Sequence, residues 1–254
     1  MKTGVLITAR LGSTRLKQKH LMEVQGHPII FYLIERIKHE FEMEINNQEI
    51  TVYITTSDEP ENRALEKVSS NVNVFYGSIN NIPLRHLQTA CKHELDYIIS
   101  VDGDDILCSV RGMRAVYNSL IQGADYVKTT GLPLGMNSAG YSTTFLQRCL
   151  DECNLNVLET GWGRIFDSSM LLELPIKITC NNVRLRFTLD YKEDFCFFEQ
   201  LITSLGSRVI KAHDDEIIEM VISKELYRLN ESVEEEYWRN FQKAMEKEGE
   251  NIES

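Results

Sequence analysis

Short unbroken apolar runs alternate along the chain with longer stretches in which apolar residues recur every three or four positions. The first run, GVLITA over 4–9, is followed by a polar loop containing glycine, as expected of a buried parallel strand. Over 27–42 the residues Ile29, Ile30, Leu33, Ile34, Ile37 and Phe41 share one helical face, and Pro28 suits the first turn. The β-branched run 50–56 predicts a second strand, 60–70 a helix opened by Pro60, and 72–77 a third strand. A helix over 82–95 follows, then a strand running into an acidic loop over 96–105. A helix over 110–121 and a strand over 125–130 continue the alternation.

Strict alternation of strand and helix implies an α/β fold, with a mostly parallel sheet and helices on both faces. Ligand sites in such folds lie at the carboxyl ends of the strands. Three polar stretches fall there: the loop after the first strand, TTSDE from 55 and DGDD from 102. Residues 131–182 are less regular, with a helix expected over 142–153. The stretch 182–190 reads as a strand and 191–205 as a helix. Two amphipathic helices (214–222 and 231–248) are expected in an acidic tail. With no repeat, low-complexity segment or clear linker, 1–254 reads as one domain. It would carry an inserted lobe over 131–182, for an acceptor or for dimerisation, and a helical extension over 207–254.

The 254 residues are 43% hydrophobic, so the chain can bury a full core without staples. A formal net charge of -11 argues against a nucleic-acid binder, but a local basic cluster can still hold a small anion. Of six cysteines only Cys149 and Cys153 are close, with no partner pair at metal-type spacing, so the thiols are expected reduced and mostly buried. No run approaches the roughly 20 apolar residues of a membrane span. The first residues lack the long apolar core of a secretory leader. A cytoplasmic chain without membrane contact is expected.

Against this acidic background, Arg10, Arg15, Lys17 and Lys19 crowd into TARLGSTRLKQK, 8–19. Neither G-x-G-x-x-G nor G-x-x-x-x-G-K-[ST] occurs. Gly12 allows a sharp turn, Ser13 and Thr14 offer hydroxyls, and Arg10, Arg15 and Lys19 offer charge. Together with backbone amides these make a phosphate cradle; the plainer alternative is a solvated basic loop.

ITARLGSTRLKQKHL resembles the N-terminal signature of the cytidylyltransferases that activate sugar acids, roughly A-R-x-x-S-T-R-L-P-G-K-x-L. These include the CMP-Kdo and CMP-sialic acid synthetases and the spore-coat polysaccharide (SpsF-like) branch. The match holds at Ala9, Arg10, Ser13, Thr14, Arg15, Leu16, Lys19 and Leu21, and fails at Lys17 and Gln18, where the pattern has Pro-Gly. TTSDEPEN (55–62) is similar to A-T-S-D-E-P of the SpsF-like branch, and FYGSINNIPLRH (75–86) to V-F-R-G-S-x-x-x-V-L-x-R-Y. ISVDGDDIL (99–107) is similar to V-x-G-D-x-P, and RLRFTLDYKEDF (184–195) to R-L-T-V-D-x-P-E-D-L. The resemblance covers about residues 4 to 230 and is weakest over 131–182. It implies a Rossmann-like nucleotide-diphospho-sugar transferase (GT-A-like) fold.

The resemblance also implies a function: transfer of CMP from CTP to a sugar, sugar acid or related small acceptor, releasing pyrophosphate, as in polysaccharide and nucleotide-sugar biosynthesis. Arg15, Lys19, Asp104 and Asp190 would be catalytic. Thr8, Ala9, Arg10, Leu11, Gly12 and Ser13 would form the nucleotide loop, with Ser57, Asp58, Gly77, Ser78, Arg85 and Asp102 around the nucleotide. Asp104 and Asp190 would hold Mg²⁺, with Mn²⁺ as the alternative ion, since a hard cation takes carboxylates plus phosphates. Other readings stay open. Asp190 can cap the helix that follows it, Ser57 or Asp58 the helix at Pro60, and Asp102 and Asp105 can be turn residues. Asp194 and Glu193 suit a helix N-terminus. Gly135, Trp162 and Arg164 are candidate acceptor residues, although Trp162 and Arg164 serve equally as packing or interface residues. The partners expected are CTP, a small acceptor and a second copy of the chain. The rivals are a nucleotidyltransferase using UTP or GTP, and a non-catalytic nucleotide-binding subunit.

Overall fold

Val5 and Ile7 of the first strand pack into one hydrophobic cluster and Leu6, between them, into another. A strand buried on both sides needs helices over both faces. The computed structural model, which describes residues 1–68, 72–178 and 183–250, has that arrangement. After β1 (Thr3–Thr8) come a small ribbon, β2 (Glu23–Val24) with β3 (His27–Pro28), and helices α1 (Ile30–Glu40) and α2 (Glu42–Asn46). Next are β4 (Ile50–Ser57), a 3-10 helix over Pro60–Lys67, β5 (Asn73–Gly77), α3 (Ile82–His93), β6 (Tyr97–Asp102), α4 (Val110–Ile121) and β7 (Tyr126–Thr130). The chain continues through β8 (Ala139–Ser142), α5 (Thr143–Asp151), β9 (Leu171–Pro175), α6 (Lys192–Leu205), α7 (Asp214–Ser223) and α8 (Glu234–Glu250).

The strands form one sheet in the order β5-β4-β1-β6-β8-β7-β9. Only β8 runs against its neighbours, so the sheet is mostly parallel, as the alternation predicts. One face packs under α1 and α4, through residues such as Leu33, Ile37, Met113 and Val116. The other packs under α3 and α5, through Leu87, Ala90, Phe145 and Leu146. A third cluster joins α6 and α7 to the chain around Phe187 and Leu189. Asn81, Ser109 and Ser142 cap α3, α4 and α5 with side-chain oxygens. The stretch 131–182 contributes β8 and β9 to this same sheet.

Three expectations need correction. Of the helix expected over 60–70, residues 60–67 wind as a 3-10 helix in which Asn62 turns its side-chain amide inward to the Ser57 carbonyl; 69 and 70 lie outside the described residues. The expected strand at 182–190 makes only an isolated bridge, Arg186 to Leu134. Its backbone bonds go to two different loops, Phe187 N–H to the Leu134 carbonyl (2.7 Å) and Leu189 N–H to the Asp104 carbonyl (2.9 Å), so no ladder forms; Asn182 itself lies outside the described residues. The described thiols are less buried than expected: Cys108 and Cys149 are buried, Cys91 is exposed, Cys153 and Cys196 are intermediate, and these five are free, while Cys180 lies outside the described residues. Among the described residues no helix is long and apolar enough to cross a membrane.

Gly135 determines where the 186–190 segment runs. Its φ of +86° is a conformation that side chains disfavour, and a Cβ there would lie 2.3 Å from the Phe187 carbonyl oxygen. Gly135→Ala should therefore lower stability by about 1–3 kcal/mol, read as a shift of the urea midpoint with an unchanged slope. A midpoint equal to the wild type would contradict the described contact.

Candidate active site

Parallel register brings Thr8, Thr55 and Asp102 into one row at the carboxyl edge of the sheet. The chain after β1 leaves the sheet there as a loop. It is held by the Leu11 amide on Asn62 Oδ1 (2.8 Å) and reverses at Gln18, whose φ is +51°. This left-handed residue stands where the resembled pattern has glycine, so the turn is made here at some backbone cost. The turn delivers Lys19 and His20 into the interior, 6% and 2% exposed. Gly103, after β6, lets this packing close: a Cβ there would be 2.8 Å from the Thr8 carbonyl oxygen and 3.1 Å from His20 Nε2.

Lys19 bridges two distant parts of the chain. Its Nζ lies 2.5 Å from Asp104 Oδ2 and 3.2 Å from Asp190 Oδ1. The other oxygen of Asp104 meets His20 Nε2 at 2.8 Å, and Asp190 Oδ1 also meets Arg15 Nη2 at 2.6 Å. Arg186 holds Asp190 from behind (3.0 Å) and reaches Asp194 at 2.9 Å. Asp194, fully buried, accepts from the amides of Asp190 and Tyr191 and so caps α6. The cap is thus Asp194, which leaves the Asp190 carboxylate for the cations.

Burial works against charge on Lys19, but Asp104 and Asp190 outweigh it and raise its pKa above the ordinary value. Burial likewise opposes the Asp104 charge, yet Lys19 and His20 hold that carboxyl well below the usual range. Asp102 goes the other way: its side chain is exposed to the cleft, yet the cleft walls withdraw enough water to push it up to about 6, with the neighbouring Asp104 charge adding to the rise. Asp105 is raised well above its usual value by burial and by both neighbours.

These groups sit in a cleft of about 830 Å³ that also contains Thr8, Arg10, Gly12, Ser13, Arg85, Gly135 and Trp162. Ala9 and Leu11 belong to the core behind the loop. Ser57 and Asp58 lie outside the cleft: the Ser57 hydroxyl donates to Glu59 (2.6 Å), and Asp58 pairs at the surface with Arg63 (3.1 Å). Gly77 and Ser78 lie behind the rim; the Ser78 amide donates to Gln88 (2.9 Å) and its carbonyl accepts from Arg85 Nε (2.8 Å). Buried Arg85 thus shapes this loop while lining the cleft, and desolvation lowers its pKa to about 10. Arg164 does not line the cleft; it is spent on Glu248 of α8 (3.0 Å) and on the Thr160 carbonyl.

Several cleft groups carry no distinct signal in the sequence. Glu159 crosses the cleft mouth to Arg10 (2.5 Å). His86 is fully buried, with one ring nitrogen 2.8 Å from the Thr8 hydroxyl and the other 2.6 Å from the Tyr141 hydroxyl. Burial lowers its pKa to about 3, so it is a neutral partner for Thr8. His20, beside Lys19, and Arg186, four residues before Asp190, were within reach of spacing arguments. The α8 residues Tyr237, Asn240 and Phe241, which form one wall, were not.

The family model described as Cytidylyltransferase matches residues 4–173. The chain is 33% identical over 129 residues to 3-deoxy-manno-octulosonate cytidylyltransferase 2 of Hydrogenovibrio crunogenus, covering 50% of this chain and 49% of that protein. The chain thus spans about half the length of that relative. It is 24% identical over 216 residues to the spore coat polysaccharide biosynthesis protein SpsF of Bacillus subtilis, covering 80% of this chain and 87% of the other. Among solved structures, a cytidylyltransferase from Leptospira borgpetersenii serovar Hardjo-bovis superposes with a TM-score of 0.78 at 21% identity, covering 91% and 98% of the two chains. At that identity the likeness speaks for the fold.

The opposed shifts in the acidic loop have a measurable consequence. A raised carboxyl costs stability when ionised, so Asp102 opposes folding above about pH 6, and the penalty lifts as the pH falls through that value. Depressed Asp104 contributes stability above its unfolded pKa of about 3.9 and loses it only in stronger acid. Carboxyl-carbon NMR titration should find these two neighbours on opposite sides of the ordinary value. Two ordinary titrations would contradict the described charge arrangement.

Proposed function

This chain belongs to the cytidylyltransferase family, and we propose that it transfers CMP from CTP to a hydroxyl of a sugar, sugar acid or related small acceptor, releasing pyrophosphate. The observation that supports this most is the meeting of Lys19, Asp104 and Asp190 at the floor of a cleft rimmed by the basic loop. Arg15 and the amides of Gly12 and Ser13 bind the triphosphate, the Leu11 amide being spent on Asn62. Lys19 spends two N–H groups on Asp104 and Asp190, and its third is a donor for a phosphate oxygen. Positive groups held in place before the reaction stabilise charge on the departing pyrophosphate.

The residues fit a divalent cation. Five carboxylates (Asp102, Asp104, Asp105, Asp190 and Asp194) face three cations (Arg15, Lys19 and Arg186), and two of the five have raised pKa values, first through desolvation and then through their acidic neighbours. No group of three or more His, Cys, Asp or Glu among the described residues forms a ready cage for a metal. That suits Mg²⁺, which takes one or two carboxylates and completes its shell with phosphate and water. Asp104 and Asp190, with Asp102 beside them, would hold Mg²⁺ or Mn²⁺, which when bound supplies positive charge to the α-phosphate. Arg186 and the Asp194 cap keep the Asp190 carboxylate aimed at the cleft.

A magnesium-dependent pyrophosphate-release assay tests this reading. Arg15→Ala and Asp190→Asn should each lower turnover by about 10²-fold or more, and the second should also lose the response to metal concentration. Circular dichroism would confirm that both variants are folded. Near-normal turnover in either variant would remove its residue from the mechanism. Thermal shifts with CTP, UTP, GTP and ATP test the base choice: the largest should come from CTP, and a larger one from UTP or GTP would favour the retargeted rival.

A further inference from the structure

The cleft has two unlike halves. One holds the carboxylates and the cations. The other is formed by Trp162 and, from α8, Tyr237, Asn240, Phe241 and Ala244. That helix lies beyond residue 173, where the family match ends. It is held across the cleft at both ends. Near its start Asn240 donates to the Tyr191 hydroxyl (2.9 Å), and the Tyr237 ring stacks 4.2 Å from the Arg186 guanidinium. Near its end Glu248 accepts from the Thr160 amide (2.8 Å) and from Arg164 (3.0 Å). An ordinary surface helix would dock on the core by its apolar stripe; this one turns aromatic side chains toward an open cleft.

Resting on the transfer reading above, we infer that α8 and the 159–162 turn form the acceptor subsite, and that the acceptor is a carbohydrate ring with an apolar C–H face. Aromatic side chains offer flat apolar area to such a face. With its amide nitrogen on Tyr191, Asn240 keeps its oxygen to accept from a ring hydroxyl. A compact acceptor such as an aminoalkyl phosphonate would leave this wall uncovered. Acceptor choice then resides in a helix distant in sequence from the residues that hold the nucleotide.

The test uses the full chain with CTP and Mg²⁺. Pyrophosphate release is measured with 3-deoxy-manno-octulosonate, N-acetylneuraminate and glucosamine as ring acceptors and 2-aminoethylphosphonate as the compact one, and CTP affinity separately by calorimetry. The variants are Phe241→Ala, which removes the ring, and Ala244→Arg, which fills the subsite with a good helix former. Each should raise the KM for the ring acceptor by about 10-fold or more, with CTP affinity within about two-fold. Folding is checked by thermal melting. If Ala244→Arg leaves the acceptor KM unchanged, or weakens CTP in step, the inference is overturned while cytidylyl transfer stands. Use of the phosphonate alone, or of no acceptor despite intact CTP binding, overturns the carbohydrate assignment. Failure of the wild type to bind CTP removes the transfer reading itself, and this inference with it.

Discussion

An ammonium that is 6% exposed keeps its charge only between carboxylates, and Lys19 has two, drawn from points 85 and 171 residues away. Much of the site's architecture serves that contact. The left-handed Gln18 carries the chain into the turn that presents Lys19, and Gly103 leaves room for His20 to reach Asp104. Arg186 and Asp194 hold Asp190 in position from the other side. Removing one partner of a buried pair costs about 3–5 kcal/mol, against a whole-domain stability of about 5–15 kcal/mol. The cluster is therefore constrained by folding as well as by chemistry.

The same cluster is not neutral. Carboxylates outnumber cations; desolvation, and after it the neighbouring carboxylates, raise the pKa values of Asp102 and Asp105, while Asp104, in contact with Lys19, goes the other way. A site that only needed to be stable would replace the surplus acids with apolar residues, because uncompensated buried charge is costly. Keeping them is sensible where a divalent cation arrives with its substrate. On this reading the strain in the acidic loop is the counterpart of metal affinity.

How far the sequence could be read depended on which signals were local. Val5 to Ile7, or Ile30 to Ile37, state their element through periodicity alone, and the sheet and its covering helices were legible from them. The basic loop was legible because four cations in twelve residues stand out on an acidic chain. The stretch 182–190 has the alternation of a strand, yet an extended segment whose backbone bonds go to two separate loops has the same pattern. Ser57 and Asp58 matched a motif, but a turn that bonds internally to Glu59, Asn62 and Arg63 looks identical in one dimension. Arg186 stands four residues before Asp190, a spacing that allows their pairing, but its second partnership, with Asp194, emerges only in the folded chain.

The α8 wall escaped for a different reason. Its aromatic and aliphatic residues recur at helical spacing, as they do in any helix docked on a core, so the pattern cannot say whether the apolar stripe meets protein or an open cleft. What distinguishes the two cases is where the polar ties lie. Here Asn240 and Glu248 bond to opposite rims of the cleft, to Tyr191 on one side and to Thr160 and Arg164 on the other. The helix is therefore suspended over the gap between them, and the side chains between its anchors face the gap. A scaffold in which one half of the cleft depends on a single charge cluster tolerates little change there. Apart from Tyr237, which stacks on the Arg186 guanidinium, the suspended helix stands outside that charge balance and can vary in sequence with little effect on it.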